Sequence, residues 1–126
     1  MNKQEIEKQI LDEIRELVNR YDEIDKQRKE MVAREISYGT DPSVFSDLFY
    51  FNHYIFTDEL RNIISQALFN HNETEHIERN RYHGPIDRFI ANEDEVAKIN
   101  KVSEGMVKAG LIKFSKTQTM VKVLFA

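Results

Sequence analysis

The chain has no cysteine, only two prolines and only four glycines in 126 residues. Each shortage closes off a class of protein. Without cysteine there is neither a disulfide framework nor a thiolate metal site, which fits a reducing compartment. The four glycines, at 39, 84, 105 and 110, are too scattered for a phosphate-cradling loop. No apolar run approaches the roughly 18 residues of a membrane span. The opening "MNKQEIEKQI" has no apolar core of the kind a secretory leader carries, so the protein is read as cytoplasmic. A basic excess is missing too: net charge is −4 and the isoelectric point about 5.6, below the footprint usual for a nucleic-acid binder. No Ser/His/Asp set or acidic metal cluster can be named. No catalytic residue, cofactor or resident metal is therefore expected, and the chain is read as non-enzymatic.

What is present is ordinary for a folded protein, with 40% hydrophobic and 32% charged residues, enough apolar content to offset chain entropy. The length suits a single domain, 1–126. The charge is unevenly spread. Residues 1–36 hold eight basic and ten acidic side chains, 37–92 four and eight, and 93–126 six and four. Over 101–126 five lysines, Lys101, Lys108, Lys113, Lys116 and Lys122, face one acid, Glu104, making the tail locally basic.

Residues 2–36 lack glycine and proline and carry apolar side chains at Ile10, Ile14, Leu17, Tyr21, Ile24 and Met31, the spacing of a heptad seam on one long helix. Leu11, Val18 and Val32 widen the stripe toward that of a core-facing helix. Arg28 and Glu35 also fall on the seam. Such a helix would span about 50 Å, whereas a compact domain of this size is roughly 35 Å across. It must overhang, break, fold back within its own subunit, or meet a partner. The reading adopted is a homodimer through this stripe.

"SYGTDP" at 37–42 is the first punctuation, with Gly39 suited to the left-handed end of a helix and Asp41-Pro42 to the start of another element. "VFSDLFYFNHYIF", 44–56, crowds six of the thirteen aromatics: Phe45, Phe49, Tyr50, Phe51, Tyr54 and Phe56. A buried helix is expected, with a short hairpin turning at Asn52-His53 as the alternative. The rings are read as core, and in the functional alternative as a stacking platform for bases or an anchor for a protein. Thr57 with Asp58 and Glu59 predicts a capped helix N-terminus. Leu60, Ile63, Ile64, Ala67 and Leu68 predict the buried face of a helix to about Asn70. Residues 71–84, "HNETEHIERNRYHG", read as a polar continuation or a short separate helix, closed by Gly84-Pro85.

Ile86, Phe89 and Ile90 predict a short helix, and Asn92-Glu93-Asp94 a turn and cap. A second helix follows, with Val96, Ile99, Val102 or Ser103, and Met106 on one face, ending at Ala109-Gly110. Leu111–Phe114 and Met120–Phe125 flank a polar loop, Ser115 to Thr119, as a β-hairpin. This order over 85–126, helix, turn, helix, "AGLI", strand, loop, strand, resembles the winged helix-turn-helix superfamily. The resemblance covers about a third of the chain and gives the expected fold class: mainly α with a small β component (α+β), winged-helix-like at its C-terminus. It implies a recognition helix entering the major groove and wing lysines on phosphate. Here that helix would start on Glu93, Asp94 and Glu95, three acids facing phosphate, with no Arg or Gln in that turn for bidentate base contacts.

A second cluster holds His71, His76 and His83 with Glu75 and Glu78. On a continuous helix, His71 with Glu75 and His76 with His83 would each share a face, but on different faces, so a solvated surface is expected and no metal. Arg79 and His83 in "RNRYH" resemble the Arg-and-His signature of HEPN ribonucleases with too short a gap, and no nuclease is read from them. The functional expectation is a small protein-binding regulator or inhibitor acting on another protein, of the size, acidity and cysteine-free composition common among phage and mobile-element products. The alternative is a winged-helix DNA-binding transcriptional regulator using Lys101, Lys108, Lys113, Lys116 and Lys122.

Overall fold

The computed structural model describes residues 2–69, 74–77, 86–89 and 92–125, with 74–77 and 86–89 as backbone. Its first element, α1 (Lys3–Ser37), is unbroken over 35 residues. Asn2 caps it, its side chain accepting from the Glu5 amide at 2.9 Å. The helix stops where the sequence predicts. Tyr38 donates its amide to the last carbonyls, and Gly39 takes φ +99°, a conformation open to glycine at no steric cost.

The long helix resolves its length problem by folding the chain back along itself. Residues 38–53 return beside α1, and their contacts step down it in order. Thr40 meets Glu35, the Arg28 guanidinium donates to the Phe49 carbonyl at 2.7 Å, Asp25 holds the Phe51 and Asn52 amides, and His53 lies against Asp22. Pro42–Phe45 is one 3-10 turn capped by Asp41, whose carboxyl is held below its usual pKa by the Ser43 amide and hydroxyl.

The expected helix over 44–56 does not form. The alternative turn does: Asn52 and His53 both adopt positive φ, 52° and 67°, and the Tyr54 amide donates to the Phe51 carbonyl. A helix cannot pass through two left-handed residues. What decides against it is a tertiary partner, since Asp25 accepts from two adjacent amides at 2.8 and 2.9 Å and the Phe51 ring stacks on Tyr21 with centroids 3.9 Å apart. The chain then enters a short strand, β1 (Tyr54–Phe56).

Next comes α2 (Thr57–Phe69), burying Leu60, Ile64, Ser65 and Ala67. Thr57 spends its hydroxyl outside the helix, donating to the Gln118 carbonyl at 2.6 Å. Glu59 does the capping instead, accepting from the Phe56 amide at 2.9 Å while its other oxygen accepts from the Tyr21 hydroxyl. One carboxylate thus joins α1, β1 and α2.

β2 (Thr74–Ile77) and β3 (Ile86–Phe89) form an antiparallel pair, Thr74 opposite Phe89 and Ile77 opposite Ile86. At the described residues 74–77 and 86–89 this corrects two expectations, a helical 71–84 and a helix at 86–90. Cross-strand pairing gives each segment backbone hydrogen bonds along one edge, where a four-residue helix would fall below the length that overcomes nucleation. α3 (Glu93–Lys108) starts on a complete capping box, Asn92 with Glu95, worth roughly 1 kcal/mol. It buries Ile99, Ser103 and Met106.

Gly110, at φ +75°, turns the chain into β4 (Ile112–Phe114) and β5 (Met120–Val123). The sheet order is β1-β5-β4, antiparallel throughout. Its inner face, Ile55, Ile112, Val121 and Val123, closes on Ile10, Ile14, Leu17 and Val18 of α1, Leu60 and Ile64 of α2, and Ile99 and Met106 of α3. The protein is mainly helical with this small antiparallel sheet, an α+β arrangement. None of the described helices is long and apolar enough to cross a membrane.

The two glycines that flank the end of α3 should respond oppositely to one substitution. Gly105 lies inside α3 with open space at its Cβ position, so Gly105→Ala is expected to stabilise by about 0.5–1 kcal/mol. Gly110→Ala meets no atoms either but keeps the left-handed backbone, costing about 1–2 kcal/mol. Urea denaturation midpoints at unchanged m-value check both signs.

Candidate nucleic-acid interface

Strand alternation sets which side chains leave the core. With Ile55, Val121, Val123 and Ile112 turned inward, the residues between them, Tyr54, Lys122 and Lys113, share the outer face. The register puts them in one row across three strands: Tyr54 opposite Lys122, and Lys122 opposite Lys113. Both lysines are exposed. Like charges directly opposite each other are unfavourable in an antiparallel pair, and neither lysine has an ion-pair partner among the described residues.

The row borders a shallow groove of about 320 Å³. The return segment supplies one wall, with Phe49, Tyr50 and Asn52, and the β4–β5 loop the other, with Ser115, Thr117 and Thr119. Met120 and Tyr54 floor it. Two ammonium groups lie beside its rings: Lys29 is 5.7 Å from the centroid of Tyr50 and Lys122 is 5.8 Å from that of Tyr54. Among the described residues no acid lines it. On α1, Asp25 accepts from the Phe51 and Asn52 amides and Asp22 lies 3.5 Å from His53.

The loop is held rather than loose. Its strand ends close through the Ser115 amide on the Met120 carbonyl, and Gln118, at φ 59°, donates back to Ser115. The Thr57 amide and hydroxyl tie Thr119 and Gln118 to the start of α2. Both walls of the groove are therefore fixed by hydrogen bonds to elements outside it.

The other candidate lysines lie on α3. Lys101 and Lys108 are exposed and seven residues apart, hence on one face, but Glu104 stands between them, also exposed. Glu93 and Asp94 are exposed at the helix start, while Glu95 turns back into the capping box. The α3 surface is thus electrically mixed, whereas the charged residues on the sheet's outer face, Lys113 and Lys122, are both cationic. Of the five lysines named from sequence, the structure pairs Lys113 with Lys122 and puts Lys116 in the adjoining loop. Sequence reasoning missed Lys29, which lies on the charged side of α1 with no local signal linking it to Tyr50.

The proposed dimer stripe is divided. Ile10, Ile14 and Leu17 are 2%, 0% and 8% exposed inside the chain's own core, which removes them from any surface open to a second copy. Tyr21 stacks on Phe51, and Ile24 and Met31 are half-buried. At the N-terminal end of α1 a second groove, about 640 Å³, runs between Ile6, Leu11, Leu68, Val102 and Leu111 with Lys3, Glu7 and Lys101 at its rim. His71, His83, Glu78, Arg79 and the side chains of Glu75 and His76 lie outside the described residues. Since 74–77 is a strand, the helical spacing argument for the histidine pairs does not apply there. Among the described residues no group of three or more His, Asp or Glu could hold a metal ion.

No protein-family model matches the chain, and comparison with curated proteins and with solved structures finds no match.

Proposed function

We propose that the chain is a non-enzymatic nucleic-acid-binding protein of winged-helix-like shape, gripping phosphates with its wing and the outer face of its sheet rather than with α3. The observation that carries this reading is the in-register row of Tyr54, Lys122 and Lys113 beside a groove with no acid among its described residues. The strand order β1-β5-β4, with β1 ahead of α2 and the hairpin following α3, supports a winged-helix shape in which α2 is the helix before α3, in place of the helix expected at 86–90, where β3 lies. Exposed Glu93 and Asp94 on α3 disfavour base-specific reading of a major groove.

Binding driven by phosphate contacts falls steeply with salt, because each neutralised phosphate releases counterions. The expected result for the variant with Lys113, Lys116 and Lys122 all changed to alanine is a slope of log affinity against log salt lower by about two to three units. Its melting temperature should be unchanged or slightly higher, since the three side chains are exposed and the Lys113–Lys122 repulsion is gone. Fluorescence anisotropy titrations of labelled oligonucleotides across a salt series measure the slope. Wild-type protein that binds no oligonucleotide at low salt refutes the proposal. Selection from a randomised duplex pool should enrich no motif.

One observation favours a second reading, a protein-binding regulator. At the far end of α1 and in the turn after it, Tyr38 and Val44 are 79% and 67% exposed and Ile36 is 39% exposed. Exposed apolar side chains close in sequence suit a protein contact. Tyr38→Ala and Val44→Ala should abolish such a contact without affecting oligonucleotide binding.

A further inference from the structure

We infer that the groove on the sheet's outer face binds unpaired bases, so that the preferred ligand is single-stranded rather than duplex nucleic acid. This rests on the nucleic-acid reading above and names its ligand class. A lysine row alone would serve any phosphate backbone. The groove adds rings, and rings are useful only to a ligand whose base faces are accessible. In a duplex those faces are hidden in the stack, whereas an unpaired base offers a π-face to any aromatic side chain.

Three features match this ligand. Tyr50 and Tyr54 are half-buried, so their orientation is set by the protein and little freedom is lost on binding. Each has an ammonium within 6 Å of its centroid, Lys29 and Lys122, on a flexible stem that can swing from the ring to a phosphate when a base takes its place. The volume, about 320 Å³, is at the lower end of that of small-ligand pockets, the scale of one or two bases and not of a helix or a strand pair. The Lys113–Lys122–Tyr54 row crosses three strands, about 10 Å, giving a track for the backbone beside the stacking site. The absence of acids among the described residues of the groove lining fits a polyanion, and the aromatic floor distinguishes a nucleic acid from a merely acidic protein.

The chain contains no tryptophan and five tyrosines, so its intrinsic emission reports on tyrosine directly. A 12-mer single strand is expected to bind at least ten-fold tighter than the duplex of the same sequence and to quench tyrosine emission. Tyr54→Leu, which keeps apolar bulk and loses the ring, should weaken single-strand binding about ten-fold and leave the salt slope unchanged, while Tyr54→Phe should bind like wild type. Equal or tighter duplex binding that is insensitive to Tyr54→Leu but sensitive to the lysine changes would overturn this inference and leave the proposed function standing. Competition by poly-glutamate as effective as by the oligonucleotide would overturn both. Should Tyr54→Leu fail to fold by circular dichroism, the wild-type comparison of single strand with duplex, together with the tyrosine quench, decides the matter.

Discussion

Ile14→Ala is expected to lower the stability of the isolated chain by about 3–5 kcal/mol, whereas Met31→Ala on the same helix should cost about 1 kcal/mol. Ile14 is 0% exposed and faces the inner side of the sheet with α2 and α3, so truncation leaves a cavity the surrounding core cannot collapse into. Met31 is half-buried, beyond the part of α1 that reaches that core. The contrast also separates the two accounts of the apolar stripe. If the stripe were an intersubunit seam along its whole length, both substitutions would shift a concentration-dependent midpoint. A loss for Ile14→Ala that is independent of protein concentration, read from urea denaturation over a hundred-fold range, matches burial within one subunit. Leu17→Glu, which drives a charge into the same core, should unfold the chain outright rather than yield a folded monomer. A folded Leu17→Glu monomer would contradict the packing.

Asp25→Ala is expected to cost about 2–4 kcal/mol and to release the return segment from α1. Asp25 is 5% exposed, and its carboxylate oxygens are the acceptors for the Phe51 and Asn52 amides. Each is a charge-assisted hydrogen bond, and truncation leaves a buried donor without its acceptor. Those same two bonds support the paired left-handed residues Asn52 and His53. Hydrogen exchange at Phe51, Asn52 and Tyr54 should rise in the variant before exchange in α3 does. Because the return segment forms one wall of the groove, oligonucleotide binding should fall as well. Retained protection at Phe51 together with wild-type stability would show that Asp25 is dispensable there.

Much of the architecture was legible because it is local. The start of α3 follows from the cap signal at Asn92-Glu93-Asp94, and its end from Ala109-Gly110, while the Glu95 half of the capping box came from the structure. The final hairpin follows from alternation at Ile112, Phe114, Val121 and Val123, and α1 from a recurring apolar stripe in a stretch without glycine or proline. The readings that failed were those whose outcome depends on distant residues. "VFSDLFYFNHYIF" is apolar enough for a helix, and nothing within it reveals that Asp25 will hold its backbone. Segments 74–77 and 86–89 each carry too few residues to show a period, and each became a strand by pairing with the other.

The candidate site divides in the same way. The lysines of the tail were visible as an excess of charge over 101–126, but that Lys113 stands opposite Lys122 came from the strand register. That Tyr54 completes their row was not visible, since β1 joins β5 only through hydrogen bonds between residues 54–56 and 120–122, and backbone pairing carries no signature in either short segment. Nor could the stripe on α1 say what would cover it. An apolar face specifies that it must be buried, and the hydrophobic effect is indifferent to whether the covering surface belongs to a second chain or to the same one. Sequence by itself determined α1, α2 and α3, the Gly39 and Gly110 helix ends, the final hairpin and the basic tail, because short-range periodicity and turn chemistry are written in neighbouring residues. Only the tertiary structure decided that α1 buries Ile10, Ile14 and Leu17 within one subunit, and that Tyr54 and Tyr50 meet the lysines, because those outcomes depend on contacts between residues far apart in the chain.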